Sequence, residues 1–385
     1  MTVAGGSSTG SKRPAALFGP GPESGLPLAL SWSRGVRFAD QAGREYLDFV
    51  MALGAVTLGY GHPTINAAAT AALDRGLVGS LPPVDEELLA IELGQAIPWL
   101  EAVRFLKTGA EAVAAAIRLA RTHTGRDQIL GCGYHGWLDL VSHGTGVPAA
   151  VQAGYRPIPF NDLEATRQAI KETGDGLAAV IVEPVVDGAP SLEWLRLLRT
   201  ETERVGGVLI FDEIKTGFRV AIGGGAERWG VVPDLAVLGK GLANGFPLAL
   251  VGGQAAIMAG VDRTWISSTL ATEFVSLAAA RATLDVTRRE GFPEVAGRLG
   301  HQLMGGLEVL AGEYPDLVAA VPGIPEMCYL RYHSDEISGA VVRAAARRGV
   351  LFKRTAYNFV ALAHQPADIS HALAVLRESL EEVRR

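Results

Sequence analysis

Between residues 128 and 253 the chain alternates short, unbroken apolar runs with longer stretches in which apolar residues recur every three or four positions. The unbroken runs are Gln128–Cys132, Leu177–Glu183, Val208–Ile214, Leu235–Leu238 and Leu248–Gly252; the periodic stretches include Asn161–Lys171 and Leu192–Arg204. A strand buried on both faces reads as a continuous apolar run, whereas a helix lying over it needs only one apolar stripe. The pattern therefore predicts an α/β fold, with a mainly parallel sheet covered by helices on both faces. An Ala-rich helix is predicted over Ala110–Arg121, and the Asn-Asp-Leu-Glu start of the 161–171 segment looks like a capping box. Upstream, Leu28–Phe49 alternates apolar and polar residues around Asp40-Gln41-Ala42-Gly43, which predicts short antiparallel strands joined by a turn. Helices are expected at Thr64–Asp74 and Glu86–Ile97, each shortly after a proline.

A long helix is predicted over Ser276–Glu290, and beyond Gly291 the texture changes. Helical patterns at Val295–Leu310, Glu336–Arg348 and Ile369–Val383 flank short strands near Met327–Arg331 and Asn358–Ala363, as in a smaller α+β domain. The predicted division is a disordered tail over 1–16, the N-terminal part of the small domain over 17–50, a large domain over 51–290 and the rest of the small domain over 291–385.

Composition narrows the function. With 385 residues, 48% of them hydrophobic, the chain can build more than one core. Its formal charge of −6 is spread over well-mixed residues, which argues against a nucleic-acid partner. No apolar run is long enough to span a membrane, and the Gly/Ser/Thr-rich start is not a secretory signal, so no membrane partner is expected. Cys132 and Cys328 are the only cysteines and have no metal-ligand spacing. They read as reduced, buried thiols of a cytoplasmic protein without a metal site.

The chemistry concentrates in two strand ends. Asp212 lies near the carboxyl end of the run Val208–Ile214, directly after its apolar part, and Lys240 follows the run Leu235–Leu238 in a Gly-rich turn. Ligands of open α/β sheets bind at the carboxyl ends of strands. A lysine and a carboxylate there suit pyridoxal 5′-phosphate: the lysine forms a Schiff base, and the carboxylate keeps the pyridine nitrogen protonated. Either residue alone would more often be half of a surface salt bridge. Three further segments fit such a site. Lys107-Thr108-Gly109-Ala110-Glu111 opens a helix and offers backbone N–H groups to a phosphate, or is an ordinary loop. Tyr134, in Gly133-Tyr134-His135-Gly136-Trp137, stacks on a flat ring or packs in its loop, and His135 reads as structural. Glu183, before Pro184, is a functional carboxylate or a capping one. A nicotinamide-dependent dehydrogenase would need a GxGxxG turn after an early strand; the dense cluster Gly223-Gly224-Gly225 lacks that context.

In this order, with Ser267-Ser268-Thr269-Leu270 further on, these motifs resemble the class III (ω-type) aminotransferases, and within them the glutamate-1-semialdehyde aminomutase-like branch. The resemblance runs from about Leu28 to the C-terminus. It implies fold type I, a mainly parallel seven-stranded sheet with flanking helices plus the smaller α+β domain, with 51–290 as the cofactor-binding part. It further implies Lys240 as the Schiff-base lysine, Asp212 against the pyridinium nitrogen, and Ile214 and Tyr134 on the two ring faces. Gly109 and Ala110 would meet the phosphate, and Glu183 would lie on the ring-hydroxyl side. Thr269 would reach the phosphate of a neighbouring subunit, so a homodimer with shared active sites is expected. The implied activity is transfer of an amino group from an amino-acid donor, glutamate by expectation, to a keto or aldehyde acceptor. An aminomutase reaction and a non-catalytic pyridoxal-phosphate-binding relative are the alternatives.

Three departures bear on the acceptor. Where the aminomutases carry Asn-Pro after the phosphate threonine, this chain has Ala271-Thr272-Glu273-Phe274, and the C-terminal run Ala356–His364 lacks their glutamate. Lys215 stands where many other class III members have glutamine, and the run Lys215-Thr216-Gly217-Phe218-Arg219 resembles the aminomutase branch more closely. The runs Met51–Gly59 and Lys353–Asn358 resemble sugar-modifying relatives, so a sugar-type acceptor is one expectation, with Lys353 and Arg354 as anion-binding groups or a solvated basic pair.

Overall fold

A computed structural model describes residues 2–385. Two compact units emerge from the packing: residues up to His62 together with Gly291–Arg385, and Pro63–Glu290. The segment 51–62, placed with the large domain from sequence, thus packs in the first unit.

In the first unit, β1 (Leu30–Arg34), β2 (Arg37–Asp40) and β3 (Glu45–Asp48) form an antiparallel meander, extended by Val350–Leu351 running parallel to β3. The expected turn is held by Asp40, whose Oδ1 accepts the N–H groups of Ala42 (2.8 Å) and Arg44 (3.0 Å). Long helices Phe292–Glu313, Asp335–Arg347 and Pro366–Arg384 complete the unit. The expected tail is folded here: Pro14–Phe18 is a short helix with Phe18 buried, and Arg343 donates to the Phe18 carbonyl (2.7 Å). Lys353 and Arg354 are not a solvated pair. Lys353 is buried and donates to Ser11 O (3.0 Å), while Arg354 pairs with Asp335 (2.9 Å).

The second unit is built on seven strands: β4 (Ala102–Leu106), β5 (Gln128–Cys132), β6 (Tyr155–Pro157), β7 (Leu177–Val182), β8 (Val208–Asp212), β9 (Leu235–Leu238) and β10 (Ala249–Gly253). Their order is β4-β10-β9-β8-β7-β5-β6, and every pairing is parallel except those of β10 with β4 and β9. The predicted α/β fold with a mainly parallel sheet is therefore present. The central strands are buried on both faces, against separate apolar clusters. On one face lies the helix Gly109–Thr124, whose Ala112, Ala115, Ala116 and Ala120 let it approach the sheet closely.

Two strands of this seven-stranded sheet escaped the pattern. Both β4 and β6 lie at sheet edges, where one side meets no neighbour and polar residues are tolerated. Arg104 interrupts β4, turns outward and donates to Ile266 O (2.6 Å). The predicted capping box at Asn161 is also displaced. The helix begins at Leu163, Asp162 caps it through Ala165 N–H (2.9 Å), and Asn161, at φ +60°, instead accepts from Ser191 N–H (2.8 Å).

This topology places the site. Because β5, β7, β8 and β9 are parallel, their carboxyl ends share one edge of the sheet. Since β4 and β9 each run antiparallel to β10, β4 points the same way and delivers Lys107-Thr108-Gly109 to that edge too. Among the described residues no helix is long and apolar enough to cross a membrane, and no cluster is placed to hold a metal ion. Both cysteines are buried and unpaired.

Candidate active site

Four strand ends and one helix start meet at this edge. Asp212 ends β8, buried, with two groups orienting its carboxylate. His135 Nδ1–H donates to Oδ2 (2.8 Å), and the Ile214 N–H donates to Oδ1 (3.2 Å). An ionised carboxylate only accepts, so the His135 proton sits on Nδ1. The opposite ring atom, His135 Nε2, is buried without a hydrogen-bond partner among the described residues. Immediately behind lies a second buried carboxylate. Glu213 accepts from the Gly225 and Ala226 N–H groups (2.8 Å each) and from the Thr216 hydroxyl. Burial pushes its pKa up to about 7. Gly223-Gly224-Gly225 is thus the seat of this carboxylate: a Cβ on Gly224 would lie 2.2 Å from Glu213 Oε2.

Lys240 follows β9 with φ +44°, in the left-handed region that an unforced lysine avoids at a cost of about 1–2 kcal/mol. Extended Gly239 precedes it, and the Gly239 carbonyl accepts from Leu242 N–H (2.9 Å), closing a tight turn. The lysine is only partly exposed. Loss of solvent around the amine, and then the positive charge of Lys215, lower its pKa to about 8; Glu183 and Asp212 oppose the shift. The amine is therefore far closer to its free-base form at neutral pH than a surface lysine is.

The β4 end leads into a capping box. Thr108 Oγ1 accepts the Glu111 N–H (3.2 Å), and Glu111 Oε2 accepts the N–H groups of Thr108 (2.9 Å) and Lys107 (3.1 Å). The Thr-x-x-Glu spacing is plain in the sequence, although there the segment read as a phosphate turn or an ordinary loop. The box uses the N–H groups on either side of Gly109 and Ala110. Those two, at the start of a sixteen-residue helix, have no partner among the described residues.

Glycines bring these parts into contact. Ile214 lies against Gly109 and Gly239: a Cβ would stand 2.5 Å from its Cδ1 at the first and 3.7 Å from its Cγ1 at the second. Gly136 abuts Ala110. Gly133, at φ +111°, leaves room for Glu183, whose Oε2 accepts the Tyr134 N–H (2.8 Å). The other oxygen of Glu183 pairs with Lys215 Nζ at 2.5 Å. Neither the Glu183–Lys215 pair nor the His135–Asp212 pair was foreseen from sequence. The structure thus gathers Asp212, Lys240, Ile214, Gly109, Ala110 and Glu183 at one edge. Tyr134 is beside them but 66% exposed. Thr269 lies apart, exposed in the turn before the helix Phe274–Glu290.

This arrangement fits pyridoxal phosphate on three counts: two free N–H groups at a helix start for an anion, a lysine poised to lose its proton, and a buried carboxylate oriented for a cationic ring nitrogen. Comparison with known proteins agrees. Residues 20–380 match the family model for class III aminotransferases. A glutamate-1-semialdehyde 2,1-aminomutase from Thermomicrobium roseum is 34% identical over 93% of this chain and 92% of its own length. The FumI protein of Sphingopyxis sp. MTA144, solved in a PLP form, superposes with a TM-score of 0.92 at 27% identity, covering 99% of this chain and 93% of that one. An omega-transaminase from Sphaerobacter thermophilus gives 0.86 at 28% identity, over 95% and 94%. The chain belongs to the class III aminotransferases, pyridoxal-phosphate-dependent enzymes of fold type I.

Proposed function

We propose that this enzyme moves an amino group from an amino-acid donor, glutamate first among them, to the carbonyl of a separate keto or aldehyde acceptor, with Lys240 as the cofactor-bearing lysine. The observation that carries the reading is Lys240 itself: a strained, poorly solvated lysine of lowered pKa in the turn just after the strand that pairs with Asp212's strand. Asp212, Gly109, Ala110, Tyr134, Ile214 and Glu183 would hold the cofactor, and Thr269 of a second copy would complete the phosphate site. Bound pyridoxal phosphate supplies an aldehyde that condenses with amines and a ring that accepts the electron pair left when a carbon loses its proton.

The protein's own groups do the rest. Asp212, fixed by His135 and the Ile214 N–H, presents a charged oxygen that holds a proton on a ring nitrogen. With the cofactor bound, the Lys240 amine would be placed to take a proton from the donor's amino-bearing carbon as general base and to give it up to the cofactor as general acid. Ile214 packs against Gly239, the residue just before Lys240. A homodimer is supported by the exposed apolar residues Leu73, Leu77, Val78, Leu81, Val84 and Ile91, which succeed one another along Pro63–Ala96. The buried, unpaired cysteines fit a cytoplasmic setting.

A second reading, an aminomutase that returns the amino group to the same skeleton, is favoured by the name of the relative at 34% identity. Against it stand Glu273 and Phe274 where aminomutases carry Asn-Pro. Glu273 here binds Lys107 (2.6 Å) and the N–H groups of Val275 (2.7 Å) and Ser276 (2.9 Å). The sugar-type acceptor rests on the runs around Met51–Gly59 and Lys353–Asn358 alone.

The visible spectrum of the purified protein tests the proposal. A cofactor band that glutamate bleaches, and that a keto or aldehyde acceptor restores with the nitrogen now in a new product, establishes net transfer. A band in wild type but not in Lys240→Ala assigns the lysine. Interconversion of one substrate without a second acceptor would instead establish the aminomutase.

A further inference from the structure

Besides the cofactor contact proposed for Glu183, its carboxylate forms an ion pair with Lys215, and Gly133 leaves the room that the carboxylate occupies. Glu183 is buried at the end of β7, and its carboxylate occupies space that any side chain on residue 133 would fill: a Cβ there would lie 2.6 Å from Oε2 and 2.7 Å from Cγ. One oxygen is fixed by the Tyr134 N–H (2.8 Å), and the other lies 2.5 Å from Lys215 Nζ. Lys215 is one residue past Ile214, and its carbonyl is held by Arg219 Nε (3.1 Å). Its side chain is 20% exposed, so its charge is weakly screened. We propose that Lys215, held by Glu183, is a positioning residue for charge: its fixed ammonium acts on Lys240 through space and eases the loss of the Lys240 proton, readying that amine for an aldehyde.

A lysine beside another cation is a recognised way of activating an amine. Here the charged groups facing Lys240 fall into two sets. Lys215 and, more weakly, Arg219 favour the free amine; Glu183 and Asp212 favour the ammonium, the latter held by His135. Among the charges Lys215 has the largest effect. Glutamine, common at this position in the family, carries no charge. Lysine in place of that glutamine changes the electrostatics around Lys240 and leaves Lys240 itself unchanged. The two members of the ion pair pull Lys240 in opposite directions, which makes the idea testable: removing Lys215 and removing Glu183 have opposite effects if charge is the cause.

The inference rests on Lys240 as the cofactor-bearing lysine. The experiment follows the capture of pyridoxal phosphate by cofactor-stripped enzyme, with borohydride trapping and peptide mass mapping, as a rate against pH. In wild type the rate rises with a midpoint near 8. In Lys215→Met and Lys215→Gln the midpoint moves up, and capture at pH 7 slows by about tenfold for each pH unit of movement. Lys215→Arg restores the wild-type profile. Glu183→Gln moves the midpoint down. Titration of the cofactor's own groups is common to all variants and cancels. An unmoved midpoint in both Lys215→Met and Lys215→Gln, or movement in the same direction for Lys215→Met and Glu183→Gln, overturns the proposal. Trapping of the cofactor on a lysine other than Lys240 in wild type overturns the underlying assignment instead.

Discussion

Replacing Lys240 by methionine should make the cofactor-free protein more stable at neutral pH, and the gain should disappear as the pH approaches 10.5. The folded protein lowers the pKa of Lys240 from 10.5 to about 8, chiefly by removing water from the amine. In the unfolded chain the ordinary value returns. Between the two values the unfolded chain binds a proton that the folded one does not, so stability rises with pH across this window. Below it both states are protonated, and the folded state bears the full cost of a poorly solvated ammonium. At about 1.4 kcal/mol per pH unit, that cost is about 3 kcal/mol, trimmed to about 2 kcal/mol by the solvent contact the side chain keeps.

Methionine has similar length and no charge, and it inherits the same left-handed backbone, so the comparison isolates the ammonium. The assay is urea unfolding of both cofactor-free proteins from pH 7 to pH 10, followed by tryptophan fluorescence. Other groups titrate in this range: burial holds the thiols of Cys132 and Cys328 up to about 12, which lowers stability as the pH rises. They are common to both proteins and cancel in the difference. The expected result is a higher midpoint for Lys240→Met at pH 7 and converging midpoints toward pH 10. A difference that does not change with pH would show that the Lys240 amine is as well solvated in the folded state as in the unfolded one, and the argument for its lowered pKa would fall with it.

The remaining predictions concern its neighbours. Gly133→Ala forces a Cβ to within 2.6 Å of Glu183 Oε2 at φ +111°, and should lower stability by about 1–3 kcal/mol in thermal unfolding; an unchanged melting temperature refutes it. Thr108→Ala removes the acceptor for Glu111 N–H, costs about 1 kcal/mol in urea unfolding, and weakens cofactor binding in a fluorescence titration by freeing the Gly109 and Ala110 N–H groups to wander. Asp212→Asn keeps the hydrogen bond from His135 but not the charge. It should still capture the cofactor while slowing bleaching by glutamate on the order of 100-fold; a wild-type bleaching rate excludes the assigned role.

How much of this was legible in the chain depends on whether the information was local. The strand ends bearing Asp212 and Lys240 stood out because a strand buried on both faces must be apolar throughout, so its first polar residue marks the edge where ligands bind. Strand β4 did not stand out, because Arg104 at a sheet edge is free to face outward. The capping box at Thr108 was local and open to view; it went unread because a phosphate turn and a capping box share residues, and here the second function leaves two N–H groups for the first. The pairs His135–Asp212 and Glu183–Lys215 are of another kind. Each joins groups at the ends of different strands, the first across 77 positions of chain. No spacing rule links them, because what brings them together is the order β5-β7-β8-β9 and the shared direction of those strands. Once that order is given, the parts of the pair come together: Gly133 admits the Glu183 carboxylate, the Tyr134 N–H takes one oxygen, and Lys215 takes the other. The pattern of single residues therefore suffices to recognise the chemistry of the lysine. Its reactivity is set one level up, by which strands lie side by side and which charges their ends bring to bear on one amine.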